Sequence, residues 1–109
     1  MKEVKAFVKP FKVNDILNSL LLAGYPNLTV SLAEGTGTYI SEDAEYSTHF
    51  SITNSKVAKI EIVCNDKEVN KIVEIISHTG RTGNPGDGII YVSEVEKVFK
   101  VKNGDDADL

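Results

Sequence analysis

Twice along this chain a strand pattern is followed by an amphipathic helical stripe, a glycine and a second strand pattern. In the first copy, residues 4–8 are apolar and partly β-branched. Pro10 ends that run, because proline has no N–H to give to a ladder. Asn14 is expected to cap the helix that follows, where Ile16, Leu17, Leu20 and Leu21 fall at helical spacing. Gly24 suits the left-handed position just past a helix end. Residues 28–32 then alternate apolar and polar, as a half-buried strand does. In the second copy, residues 57–64 put Ile60, Ile62 and Cys64 on one face and Lys59, Glu61 and Val63 on the other. Asn65 or Asp66 is the expected cap, and Asn65 with Glu68 has the spacing of a capping box. Val69, Ile72, Val73 and Ile76 make one apolar stripe, which Gly80 closes. Residues 89–92 read as a strand that continues in extended form through 95–101.

Strand–helix–strand twice over predicts an α+β domain, a ferredoxin-like double βαβ sandwich with an antiparallel sheet and both helices on one face. The opposite face would then carry Val63, Tyr91 and Phe99, and association through it is the natural way to cover them. With 109 residues, 41% of them hydrophobic, the chain has material for one domain, 1–109, with a modest core.

Between the two copies, residues 35–56 are rich in Ser, Thr, Glu and Asp and show no clear period. A stretch of about 20 such residues inside a small domain is expected to be a functional or disordered loop. A second, shorter loop, 81–88, reads Arg-Thr-Gly-Asn-Pro-Gly-Asp-Gly, and residues 103–109 form an acidic tail. The formal net charge of −4 argues against non-specific nucleic-acid binding, which depends on neutralising phosphates. The single cysteine, Cys64, has no partner for an intramolecular disulfide. No N-terminal signal pattern is visible, and the apolar runs are far short of the ~20 residues that span a bilayer. A cytoplasmic protein without direct membrane insertion is therefore expected.

Three features bear on chemistry. The run Gly86-Asp87-Gly88 lets backbone N–H groups come close to phosphate oxygens, although a tight helix-to-strand turn is the plainer reading of the same residues. Lys100 and Lys102, two apart on an expected strand, would point to the same side. His49, His78 and Cys64 lack metal-ligand spacing, and no nucleophile–base arrangement is present, so neither a metal site nor catalytic residues are expected.

Several stretches together resemble the PII signal-transduction family: Val8-Lys9-Pro10-Phe11-Lys12, Leu28-Thr29-Val30, Gly35-Thr36-Gly37, Lys59-Ile60-Glu61-Ile62-Val63, and the loop 81–88 followed by Ile90-Tyr91-Val92. The resemblance spans nearly the whole chain, and the 81–88 stretch is its most specific part. It implies a non-enzymatic signal-transduction regulator, a homotrimer with an adenine nucleotide (ADP, AMP or ATP) in the clefts between subunits. It identifies 35–56 as the T-loop and 81–88 as the B-loop. It implies nucleotide-binding roles for Thr29, Gly35, Gly37, Thr38, Val63, Gly86, Asp87, Gly88 and Ile89, with Lys100 and Lys102 reaching the phosphates of a neighbouring subunit's ligand. The partners it implies are a membrane transporter or a metabolic enzyme, engaged through the T-loop.

The departures from the family are specific. Ile89 stands where a lysine is usual, and Thr38 and Tyr39 stand where arginine and glutamine are usual. Lysines at 100 and 102 replace arginines, keeping charge and losing the bidentate fork. Each missing charge-assisted contact is worth about 1.5–3 kcal/mol, so a less charged nucleotide, ADP or AMP, is expected to be preferred over ATP. Tyr39 is a poor hard-cation ligand, which argues against sensing of 2-oxoglutarate through magnesium. Ala44-Glu45-Tyr46 makes Tyr46 a candidate for modification or partner contact, in a loop shortened before it and lengthened over 51–55. The altered loop points to a partner other than the usual ammonium transporters, such as a transporter for bicarbonate or a metal ion. Two alternatives stand beside this reading: a PII-like sensor of bicarbonate together with a nucleotide, and a structural trimer without nucleotide.

Overall fold

The structure, a computed structural model, describes residues 1–36, 45–46 and 53–108, with 45–46 and 53–55 described by their backbone pairing. Its strands are β1 (Lys2–Val8), β2 (Thr29–Gly35), β3 (Glu45–Tyr46), β4 (Thr53–Cys64) and β5 (Gly88–Glu94), and its helices are α1 (Val13–Leu22) and α2 (Val69–Gly80). The sheet order is β2-β4-β1-β5, all neighbours antiparallel, and β3 pairs with the start of β4 off this path. β1 and β2 are therefore parallel with β4 inserted between them, and β4 and β5 are parallel around β1. This is the split βαβ arrangement expected from the repeated plan.

Two-residue alternation decides which side is covered. Val4, Ala6 and Val8 of β1 lie opposite Ile62, Ile60 and Ala58 of β4, and all six are buried. Ile16 and Leu20 of α1 and Ile72 and Ile76 of α2 close over them. Full burial of such side chains contributes about 1.5–3 kcal/mol each. Gly80 lies where α2 meets α1: a Cβ there would stand 3.1 Å from Ile16 Cδ1. Its value is close packing. Gly24, at φ 94°, is the left-handed terminator.

Four local expectations are corrected. Asn14 is inside α1, because Pro10 opens a 3₁₀ turn (Pro10–Lys12) that runs directly into the helix and leaves Lys12 at the N-cap. Proline suits such a first turn, where an N–H has no intrahelical partner. The capping box does not form: a 3₁₀ turn (Asp66–Glu68) precedes α2, neither Asn65 nor Glu68 makes a side-chain capping bond, and the Glu68 carboxylate accepts the Tyr25 hydroxyl instead. Residues 29–32 of β2 are exposed, Leu32 by 78%, because β2 is the edge strand of the sheet, with a neighbour on one side in the β2-β4-β1-β5 order. Finally, β5 ends at Glu94. Residues 98–107 fold back as a small hairpin, with Lys100 N–H on Asp105 O, Ala107 N–H on Val98 O and Gly104 at φ 75°. The Asn103-Gly104 pair turns the chain where a continuing strand was expected, and Lys102 falls in that turn.

Among the described residues, no helix lies on the second sheet face. Phe7 and Tyr91 meet edge-to-face there at 5.8 Å. Beside them runs a chain of ion pairs, Lys59–Glu61 (3.3 Å), Glu61–Lys5 (3.9 Å) and Lys5–Glu3 (3.4 Å). Ile89 and Tyr91 remain about half exposed on this face, at 54% and 52%. Phe99 is likewise exposed, on the hairpin.

Candidate functional site

The loop 81–88 joins α2 to β5, and its form follows from its glycines and from Asp87. Gly88 has φ 121°, and a Cβ on it would lie 1.8 Å from Phe7 O, so only glycine fits. Gly83 and Gly86 also take positive φ. The Asp87 carboxylate turns inward. Oδ2 accepts the N–H groups of Thr82 and Gly83, both at 2.8 Å, Oδ1 accepts the Thr82 hydroxyl, and Lys9 Nζ is 3.4 Å away. Burial alone would raise this carboxyl. The Thr82 hydroxyl, the two N–H groups and Lys9 outweigh burial and hold it at about 2. The Thr82 and Gly83 N–H groups are thus spent on Asp87, and that of Asp87 is turned inward by the tight turn over 84–87, whereas that of Gly86 makes no hydrogen bond among the described residues. Oriented N–H donors in a glycine-rich turn form a concavity for an anion.

The expected site residues divide between the two ends of the sheet. Gly88 pairs with Val8, and Val8 with Ala58, so the 81–88 loop sits at the end where β1 finishes. Gly35, paired with Ser55, is at the same end, on the far side of β4 and β1. Three strand spacings, about 14 Å, separate β2 from β5. Thr29, opposite Glu61, and Val63, opposite Glu3, lie toward the other end. Val63 is five residues beyond Ala58 along β4, about 17 Å at ~3.4 Å per residue. β5 also leaves the sheet at that other end, with Glu94 opposite Lys2 and Val95 N–H on Met1 O, and it leads into the hairpin that bears Lys100 and Lys102. One chain therefore brings Gly35, Gly86, Asp87, Gly88 and Ile89 to one end and Thr29, Val63 and the lysine hairpin to the other. It does not bring the two sets together. Gly37, Thr38, Tyr39 and His49 lie outside the described residues. Tyr46 pairs through its backbone with Thr53.

Val63 lines a cavity of about 220 Å³ together with Tyr25, Asn27, Cys64 and Glu68. Tyr25 donates to Glu68, and Lys71 Nζ stands 5.7 Å from the Tyr25 ring centre. The bond to Glu68, then burial, pushes the phenol up to about 12. Burial, then the Glu68 charge, raises the Cys64 thiol. The cavity lining combines apolar side chains with amide, phenol and carboxylate groups, a mixture that suits a flat heterocycle. Among the described residues no group of three or more His, Cys, Asp or Glu is placed to hold a metal ion.

Lys9, Thr82, Tyr25 and Glu68 were not singled out from the sequence as site residues. For Lys9 the signals were its place in the 8–12 stretch that carries the resemblance and its position at a strand end before proline. The loop it faces depends on the β1–β5 register.

A family model described as nitrogen regulatory protein P-II matches residues 1–105. The chain is 37% identical over 106 residues to a protein named Nitrogen regulatory protein P-II from Porphyra purpurea, covering 96% of this chain and 95% of the relative. It is 38% identical to the protein of that name from Pasteurella multocida, covering 97% and 96%. It is 35% identical to Nitrogen regulatory protein P-II 2 from Methanothermobacter thermautotrophicus, covering 96% and 92%.

Proposed function

The chain belongs to the nitrogen regulatory protein P-II family, whose members are regulatory and non-catalytic, and from that premise we propose that it is a homotrimeric regulator that binds an adenine nucleotide between subunits and acts on a partner through residues 35–56. The observation that carries this reading is the division of the expected ligand residues between opposite ends of one sheet. A cleft in which the loop end of one subunit meets the Val63 end of its neighbour would reunite them. Gly35 and the Gly86 donor then meet the phosphates, the Val63 cavity takes the base, and Lys100 and Lys102 supply charge from the neighbouring hairpin. The uncovered sheet face, with Ile89 and Tyr91 half exposed, gives association a driving force.

Charge sets the nucleotide preference. Ile89 brings no cation to the loop, so the site has less positive charge than three phosphates require. Two missing charge-assisted contacts amount to roughly two to four orders of magnitude in affinity. ADP or AMP is therefore the preferred ligand. Among the described residues no helix is long and apolar enough to cross a membrane, and we place the regulator in the cytoplasm, with a transporter or a metabolic enzyme as its partner.

Titration calorimetry with ATP, ADP and AMP, paired with light scattering for mass, tests this reading. One nucleotide bound per chain on a trimer, with ADP or AMP tighter than ATP, is the expected result. ATP binding far more tightly than either would overturn the preference, and a monomer would overturn the shared cleft. Bicarbonate and 2-oxoglutarate in the same panel test the anion-sensor alternative.

A further inference from the structure

A loop that is to receive a phosphate holds a carboxylate at its centre. Asp87 is ionised at neutral pH, and it directly follows Gly86, whose N–H is an unspent donor in the loop. Left alone, that charge would repel an incoming anion. The neutralising group comes from the other half of the chain. Lys9 sits directly after β1, in extended backbone (φ −63°, ψ 132°) that the following Pro10 favours. Its ammonium stands 3.4 Å from Asp87 Oδ1 and donates to Thr82 Oγ1, also at 3.4 Å. The pair is mostly covered, with 17% of the Lys9 side chain and 24% of that of Asp87 exposed. Thr82 links the two, since its hydroxyl donates to Asp87 while accepting from Lys9 and from Asn84 N–H.

We propose that Lys9 is a positioning residue for the phosphate end of the nucleotide site: by neutralising Asp87 through the Lys9–Thr82–Asp87 cluster, it keeps the loop clamped and the Gly86 N–H open to an anion. This inference rests on the nucleotide reading above. It supplies the positive charge that Ile89 does not, from a residue that acts through Asp87.

The test is a double-mutant cycle on the full chain, read by calorimetry with ADP and with adenosine. Lys9→Met removes the charge and keeps the stem, and it is expected to weaken ADP binding roughly ten- to a hundredfold, the scale of one charge-assisted contact. Adenosine, which has no phosphate, should bind as it does to the unaltered protein, and this also reports that the variant is folded. Lys9→Arg should retain most ADP affinity. In an Asp87→Asn background, where no charge needs neutralising, Lys9→Met should cost little more. Equal losses for ADP and adenosine, or additive losses in the double variant, would reduce Lys9 to a structural role and overturn the inference. An unaltered protein that binds ADP while Lys9→Met binds it equally well overturns the inference alone. An unaltered protein that binds no adenine nucleotide overturns the nucleotide reading itself.

Discussion

The two ends of the sheet treat a carboxylate in opposite ways. At the 81–88 end, Asp87 collects two N–H groups, a hydroxyl and an ammonium, and its acidity is strengthened. At the Val63 end, Glu68 accepts one phenol, and the visible consequence is a Tyr25 that holds its proton more tightly. The first end is made of backbone donors held by positive-φ glycines, of which Gly88 admits no substitute, and by paired charge. The second is a cavity walled by side chains. A ligand with a charged head and a flat apolar body needs one of each, and one strand length keeps them apart within a chain.

The largest break in this comparison is Gly88→Ala. The new Cβ would overlap Phe7 O at a φ that alanine avoids, so β5 must detach or shift. A loss of at least about 3 kcal/mol is expected, seen as a lowered thermal midpoint. At the other end Cys64→Ala should leave the loop intact and cost less. Equal losses would erase the difference between the ends.

Asp87→Asn comes next. It keeps the shape and removes the charge that holds Thr82 and Gly83, with an expected loss of about 1 kcal/mol at neutral pH once solvent screening is allowed for. The pH dependence has a definite sign. The folded carboxyl lies at about 2, below its ordinary 3.8, so its contribution is complete above pH 3.8 and is lost as pH falls toward 2. Denaturation curves of the two proteins should therefore converge in acid. A gap that does not shrink as pH falls from 4 through 2 would assign the loss to something other than ionised Asp87.

The smallest effect belongs to the Tyr25–Glu68 pair. The folded phenol lies at about 12, above its ordinary 10, so its contribution is present below pH 10 and fades as pH rises through 12. Glu68→Gln should bring the Tyr25 titration back toward 10 in ultraviolet absorbance with little change in thermal midpoint. A Tyr25 titration unmoved by that substitution would show that burial, not Glu68, sets it.

Much of this was legible in the chain. The alternation of Ala58, Ile60, Ile62 and Cys64, and the stripe of Ile72 and Ile76, identified the covered face, because periods of two and 3.6 are local consequences of backbone geometry. The glycines of 81–88 marked a special loop for the same reason. The caps were half legible: the 3₁₀ turn Pro10–Lys12 draws Asn14 inside α1, whereas Asn65 does hold the N-cap of the 3₁₀ turn leading into α2, without a side-chain capping bond. The 95–101 segment misled, since its apolar residues gave a strand pattern and Asn103-Gly104 then folded it back.

By itself, then, the sequence determined two βαβ halves, their core faces and a glycine loop suited to an anion. Only the tertiary structure decided that Asp87 faces into that loop, that Lys9 neutralises it, and that Thr29 and Val63 lie a strand length away from Gly86 and Gly88. The physical reason is register. Side-chain periodicity is set by neighbours in the chain, whereas the facing of Lys9 to Asp87 depends on β1 and β5 aligning Val8 with Gly88, a pairing between residues far apart in sequence that no local pattern encodes.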